Sequence, residues 1–376
     1  MWQVQLCEMD YGNEETSAVS DVIHSKWLTM GERCKLFEDS FAKFLGNDVQ
    51  CSTVSSCTAA LHLAIMSLDL NSGDEVVVPA LTFVADANVV IAQGGTPVLA
   101  DCASLSNLNV DLDTIQRVVS NKTRAIIIVH FAGYPVDIKP IVEFCKTKNI
   151  VLIEDVAHAP GASVDNQFTG TFGDISCFSF FSNKNLSTGE GGMIATKDSA
   201  LHQRFQRARS HGMTSVSLDR HKGRAASYDV NEFGLNYRMD EIRASLGQVQ
   251  LEKLLGNNLR REKIVAQYHR NLYDLPIMIP FSHELGNIVS AYHIQPIIFE
   301  TEDTRNDVMK YMKDRKIQTS IHYPSIKNFK AYEHIHHQDT PIADEVSNRE
   351  LTIPLFPTMS EDQIHKVISC IRSYFI

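Results

Sequence analysis

The sequence predicts an α/β protein with a mostly parallel sheet covered by helices. Short apolar runs alternate with helically patterned segments through the first two hundred residues, the rhythm of strand, helix and strand. The run at 124–131, Arg-Ala-Ile-Ile-Ile-Val-His-Phe, is apolar at successive positions, as a strand buried on both faces requires. Several runs end in turns that carry hydroxyls, a carboxylate or an amine. In such sheets ligands gather at the carboxyl ends of the strands.

Residues 1–50 read as a leading segment and a helix. Leu36, Phe37, Phe41 and Phe44 recur at helical spacing, and Gly46 stops the pattern. In 52–68 a short strand enters a hydroxyl-rich turn, then a helix with Leu61, Ala64, Ile65 and Leu68 on one face. The free amides opening that helix, with Ser56 and Thr58 beside them, either hold a phosphate or are simply capped. A strand at 75–80, a helix at 81–91 and a strand at 96–101 follow. Phe83, just past a strand end, either stacks on an aromatic ring or packs in the core.

A helix over 137–148 leads to a strand that Asp155 ends, with His158 three residues on. A carboxylate there can hold a protonated pyridine nitrogen, and its other reading is a turn cap. His158 is either a satisfied core histidine or a cofactor contact, and its nearness to Asp155 favours the second. Residues 174–183 rise as a strand to Lys184, inside Ser179-Phe-Phe-Ser-Asn-Lys-Asn-Leu-Ser-Thr-Gly-Glu-Gly-Gly-Met193. A strand that presents one lysine and then turns on glycines places an amine where it can form a Schiff base with a carbonyl.

Gly234 to Ile242 opens a long helix with Ile242, Leu246 and Val249 as apolar positions, and the run from about 240 to 273 is expected to connect two domains. The expected division is 1–250 and 251–376. The second unit carries an alternation of Tyr292, Ile294 and Pro296, a helix over 303–315, and a final helix. That last helix has a Ser360–Gln363 capping box and an Ile364, Val367, Ile368, Ile371 stripe.

With 376 residues, 44% hydrophobic and 21% charged, the chain has material for a large core. Its net charge of −10 argues against a nucleic acid or an anionic membrane surface as partner. The eight cysteines include no Cys-x-x-Cys pair, which points to reduced core thiols. Neither a signal pattern nor a membrane-length apolar run occurs, so a soluble cytoplasmic protein is expected. His334, His336 and His337 lie in a polar loop without register, and no metal site is expected there.

Taken together, Lys26-Trp-Leu-Thr-Met-Gly, Cys57-Thr-Ala-Ala-Leu, Thr82-Phe, Glu154-Asp-Val-Ala-His, the Lys184 stretch, Gly234-Leu-Asn-Tyr-Arg-Met, His322-Tyr-Pro and Ile353-Pro-Leu-Phe-Pro resemble the DegT/DnrJ/EryC1/StrS aminotransferases, which aminate keto sugars. The resemblance covers nearly the whole chain. It implies a fold-type I pyridoxal-phosphate enzyme, with a mostly parallel seven-stranded sheet in its large domain and a smaller C-terminal α+β domain. It also implies a homodimer whose active sites lie at the subunit interface. Lys184 falls on the Schiff-base lysine and Asp155 on the partner of the pyridine nitrogen. Ser179, Cys57, Thr58 and Ala59 fall on the phosphate site, Ala59 through its backbone. Phe83 matches the stacking aromatic, and Asn236 the residue reaching the phosphate from the neighbouring subunit. His322, Tyr323 and Lys327 are expected near the sugar, and Arg220, Lys222 and Arg224 are further candidates. Many members carry glutamine where this chain has His158. Some sugar dehydratases of the family replace the lysine by histidine, so its presence here favours transamination.

The implied reaction takes an amino group from L-glutamate and gives it to a keto or aldehyde sugar, nucleotide-linked or an oxidised acid of the octulosonate type. Its product would serve lipopolysaccharide, other surface polysaccharides or natural products. A nucleotide-linked oxidoreductase would need Gly-x-Gly-x-x-Gly after a strand, which is absent. A silent sensor or scaffold member would lack Lys184 or Asp155, and both are present.

Overall fold

A computed structural model describes residues 1–46, 48–214, 228–282, 287–333 and 339–376. Its principal sheet has seven strands: β1 (Gln50–Val54), β2 (Glu75–Pro79), β3 (Thr96–Ala100), β4 (Thr123–Val129), β5 (Val151–Asp155), β6 (Ile175–Ser179) and β7 (Gly192–Thr196). They lie in the order β1-β7-β6-β5-β4-β2-β3. The pairs β2–β3, β2–β4, β4–β5 and β5–β6 are parallel, while β7 runs antiparallel to both of its neighbours. All strands except β7 therefore end at one edge.

The continuous apolar character of β4 follows from its position. Ala125 and Ile127 pack into one core with helices α3 (Cys57–Met66) and α4 (Ala85–Ala92). Ile126 and Ile128 pack into another core with α5 (Ile138–Lys148). With side chains alternating in direction along a strand, both sets must be apolar. The expected helix at 81–91 begins only at Ala85, because Thr82 turns its hydroxyl onto Asp86 at 2.6 Å and the chain bends there. Leu68 lies beyond the end of α3, and β6 stops at Ser179, short of the lysine.

Among the described residues, α1 (Asn13–Ser25) and α2 (Glu32–Leu45) precede the sheet, and α6 (Glu241–Leu272) runs 32 residues against them. Phe37 and Phe41 of α2 are buried, whereas Leu36 is exposed. Phe41 meets the rings of Phe37, Phe44, Phe178 and Phe180 at centroid distances of 4.9–6.0 Å. Truncation of Phe41 to alanine is expected to cost about 3–5 kcal/mol of stability. Urea titration of the purified variant tests this, and a loss below about 1 kcal/mol would show that the cluster does not hold α2 in place.

The long helix starts at Glu241, not Gly234, with Asp240 as its N-cap accepting from the Arg243 amide at 2.9 Å. Its buried face near α2 carries Ala244, Ser245 and Gly247, while Ile242, Leu246 and Val249 are only half-buried. A β-carbon at Gly247 would stand 2.5 Å from the Phe37 ring. Close approach of the two helices thus selects small residues, which the apolar pattern does not register.

A second sheet joins β8 (Ile277–Met278), β9 (Gln295–Phe299) and β10 (Glu350–Ile353), with β9 central and antiparallel to both. Helices α7 (Glu302–Asp314) and α8 (Glu361–Phe375) pack with it in one apolar cluster. The Ser360–Gln363 capping box is present and Ile364, Val367, Ile368 and Ile371 are buried, as the pattern predicts. Tyr292 and Ile294 are not strand residues. The amides of Ala291 and His293 instead bond Gly133 and Ala132, both at 2.8 Å, tying this segment to the turn after β4. All eight cysteines are unpaired, and Cys145 and Cys177 are buried. No helix among the described residues is long and apolar enough to cross a membrane.

Candidate active site

The common edge of the parallel strands closes around a cavity of about 370 Å³. Ser56, Cys57 and Thr58 come from the turn after β1, Thr82 and Phe83 from the turn after β2, Asp155 from the end of β5, and Ser179 from the end of β6. Lys184, His158, Glu190, His322 and Tyr323 also line it. Sequence-distant residues meet here because parallel strands deliver their carboxyl ends to one side.

At one end of the cavity α3 opens with Ser56 as N-cap, its hydroxyl accepting from the Ala59 amide at 3.1 Å. Ala59, expected to offer its amide to a phosphate, thus has it engaged within the turn. The amides of Cys57 and Thr58 have no acceptor among the described residues. Capping does not use up the turn: Ser56 serves one donor and two remain open to an anion. Gly192 lets the turn lie against the sheet, since a β-carbon there would stand 2.6 Å from the Ser56 carbonyl carbon. Ser179 accepts weakly from the Phe181 amide at 3.4 Å, which leaves its hydroxyl proton to be donated.

Asp155 is buried, and one of its oxygens accepts from the Ala157 amide at 2.7 Å. It is therefore a turn cap that keeps a second oxygen for a ligand. Asp86, absent from the sequence reading, is fully buried beside it. Its one signal in the sequence was an acid within the apolar stretch Val84-Ala-Asp-Ala, four residues after Thr82. Burial pushes both carboxyls up; the charge of Asp155 raises Asp86 further, whereas a hydrogen bond from Asp86 lowers Asp155. Asp155 is held back by the Ala157 amide and by Lys184, so the proton belongs to Asp86. A protonated Asp86 also provides for its oxygen that otherwise has no partner.

Lys184 lies in the turn beyond β6, its backbone amide bonded to the Phe181 carbonyl at 2.9 Å. Burial lowers its amine to about 8, against the raising pull of Asp155 and Cys57. Attack on an aldehyde needs the neutral amine. The rate at which cofactor-free protein captures pyridoxal phosphate should therefore climb with pH and level off above about 8. Stopped-flow absorbance across that range checks it, and a climb that continues to the ordinary lysine value would contradict a depressed amine.

His158 does not end freely in the cavity. Its Nδ1 accepts from the Ala132 amide at 3.2 Å, and its Nε2 meets the Tyr323 hydroxyl at 3.1 Å. Burial drives its pKa well below the usual value, so the ring is neutral. An amide can only donate, so Nδ1 is bare and Nε2–H donates to Tyr323. The Tyr323 hydroxyl proton is then free for a ligand, and burial raises its pKa so that it stays protonated. Phe83 is 56% exposed at the cavity, with its ring 6.0 Å from that of Tyr323. Exposure there excludes the core-packing reading and leaves a face for stacking.

Two expected residues are not brought in. Lys327 pairs with Asp344 at 2.5 Å and does not line the cavity. Asn236 is exposed on an extended stretch with Leu235 and Phe233, outside the cavity of its own chain. Arg220, Lys222, Arg224, His334, His336 and His337 lie outside the described residues.

An amine, a buried carboxylate, two open helix amides, a donating hydroxyl and an exposed aromatic face surround one space. That donor set fits pyridoxal phosphate. Sheet and site together define the fold-type I aminotransferase class. The sequence profile of the DegT/DnrJ/EryC1/StrS aminotransferase family matches residues 9–372. The chain belongs to that family.

GDP-perosamine synthase of Escherichia coli O157:H7 is 33% identical over 364 residues, covering 96% of each chain. PseC of Helicobacter pylori, an aminotransferase of pseudoaminic acid biosynthesis, superposes with a TM-score of 0.92 at 28% identity over 99% of each chain. The putative sugar aminotransferase Spr1654 of Streptococcus pneumoniae, solved in PMP and PLP forms, is 27% identical. Its PMP form gives a TM-score of 0.90 over 98% of each chain.

Proposed function

We propose that this protein is a pyridoxal-phosphate-dependent aminotransferase that moves an amino group from L-glutamate to a keto or aldehyde sugar, yielding an amino sugar for surface polysaccharide or natural-product synthesis. The observation that carries this reading is the meeting of Lys184, Asp155 and the open Cys57 and Thr58 amides in one cavity. The names of the relatives support a sugar acceptor, and a nucleotide-linked hexose suits them best.

Bound pyridoxal phosphate would supply an aldehyde that takes and returns the amino group, and a ring that accepts an electron pair. The Cys57 and Thr58 amides and the Ser179 hydroxyl would hold its phosphate. Asp155 would keep a proton on the ring nitrogen, with Asp86 beside it as the neutral carboxyl. Phe83 would cover one face of the ring. Lys184, once released from the aldehyde, would carry the proton between the substrate carbon and the cofactor. His322 and Tyr323 would orient the sugar. Asn236 would act in the cavity of a second copy, which explains its position outside its own, so the working unit would be a homodimer. Residues 1–250 would form the cofactor-binding unit and 251–376 the smaller one, with α6 crossing between them.

An ultraviolet-visible spectrum before and after L-glutamate tests the donor half. The visible band of the loaded protein should give way to the pyridoxamine form, and a keto sugar from a nucleotide-linked panel should restore it. A protein that stays colourless after incubation with pyridoxal phosphate would remove the role of Lys184 and leave a silent family member as the reading.

A further inference from the structure

We propose that Glu350 and Thr352 form a buried proton relay to His322, setting which ring nitrogen carries the hydrogen and so whether His322 donates to, or accepts from, the substrate in the cavity. The proposal rests on the reading of the cavity as the transamination site, and it gives roles to two residues outside it.

Glu350 and Thr352 stand two apart on β10, on one face of the strand, and both are fully buried. Thr352 and Ser320 exchange backbone hydrogen bonds at 2.8 and 3.1 Å, pinning the segment that bears His322 to this strand. Glu350 Oε2 accepts from the His322 amide at 2.9 Å. Glu350 Oε1 meets Thr352 Oγ1 at 2.5 Å, and Thr352 Oγ1 meets His322 Nδ1 at 2.9 Å. His322 lines the cavity, and its Nε2 makes no hydrogen bond to any described residue.

A threonine hydroxyl has one proton to place between these two neighbours, which leaves two arrangements. With Glu350 protonated, the acid donates to Thr352, Thr352 donates to Nδ1, and Nε2–H is presented as a donor. With Glu350 ionised, Nδ1–H donates to Thr352, Thr352 donates to Glu350, and Nε2 is a bare acceptor. Passing from the first to the second moves the acid proton to Thr352, the Thr352 proton to Nδ1, and the Nε2 proton out to the substrate. The charge left behind is one carboxylate on Glu350. In amino transfer the carbonyl oxygen of the sugar must leave as water, and the relay supplies one of the protons it needs.

The surroundings put both arrangements within reach. Burial pushes the Glu350 carboxyl up to about 8, offset by Thr352, the His322 amide and the charge of Arg305 on α7. Arg305 also donates to the Glu350 carbonyl at 3.2 Å. Tyr323 faces the same carboxyl and is protonated. Burial and Lys184 lower His322 to about 4, and its neighbours His158 and His293 are likewise driven down, so all three rings are neutral near pH 7. The switch therefore changes the tautomer of His322 and not its charge.

The test uses nitrogen-15 histidine labelling of the full-length, cofactor-loaded protein, with His322→Asn identifying the signals. In the wild type, the protonated nitrogen of His322 should change from Nε2 to Nδ1 as pH rises through about 8. In Glu350→Gln the amide donates to Thr352 at every pH, so Nε2–H should persist throughout. Thr352→Ser should keep the switch, and Thr352→Val should lose it and slow transfer to the sugar by about a hundredfold. A wild-type tautomer that is constant with pH, or a switch that survives in Glu350→Gln, overturns the relay. If Glu350→Gln does not fold, the serine and valine pair decides on the same signals. A tautomer switch in a protein whose bound cofactor ignores both glutamate and sugars would keep the relay and discard the proposed function. Amino transfer without the switch would do the reverse.

Discussion

Replacement of Lys184 by alanine is expected to abolish turnover, with a loss of at least about four orders of magnitude. The variant should still take up pyridoxal phosphate, because the Cys57 and Thr58 amides, Ser179, Asp155 and Phe83 are untouched. Uptake should now be reversible on dialysis, since no amine remains to bond the aldehyde. The purified variant is assayed in both half-reactions and its spectrum recorded after dialysis. Appreciable activity with retained colour would mean that another amine does the work, and among the described residues no other lysine lines the cavity.

Asp155→Asn is expected to cost about 3–5 kcal/mol in transition-state stabilisation, roughly two to nearly four orders of magnitude in turnover. Asparagine keeps the oxygen that accepts from the Ala157 amide, so the turn after β5 survives. It loses the charge that would hold a proton on the ring nitrogen. The buried proton shared with Asp86 also loses its purpose, and Asp86 is freed to ionise in its place. The double variant Asp86→Asn, Asp155→Asn should therefore be slower than Asp155→Asn alone. Rates for the two within about threefold of each other would mean that Asp86 does not compensate.

Much of the site was legible because it sits where strands stop. Lys184, Asp155, Phe83 and the Ser56–Thr58 turn each follow an apolar run, and a parallel sheet gathers such ends at one edge. The fold was legible for the same reason, with β4 reading as a strand buried on both faces. Contacts that depend on tertiary approach were not legible. Gly247 faces Phe37 because two helices come close, and nothing in the apolar pattern of α6 marks that face. Asp86 and Glu350 are acids held in apolar surroundings, and their partners become visible only when β5 and the segment of His322 are in place. The motif offers the Ala59 amide to a ligand, and nothing in the sequence reveals that Ser56 reaches it. Nor does a lysine near His322 carry any sign in the sequence of its pairing with Asp344.

The start of α2 has no side chain of its own to cap it, since its N-cap is Gly31. The carboxylate of Glu241 does this instead, accepting from the amides of Gly31, Arg33 and Cys34 at 2.8, 2.9 and 2.9 Å across 207–210 residues of chain. On the ribosome, at roughly 5–20 residues per second, about 10–40 s separate the synthesis of the helix start from that of its cap. Phe178 and Phe180, which enclose Phe41, also arrive late. Helix α2 is thus made early and secured late. Its phenylalanines form a hydrophobic segment for a chaperone to shield until the second half of the chain has emerged.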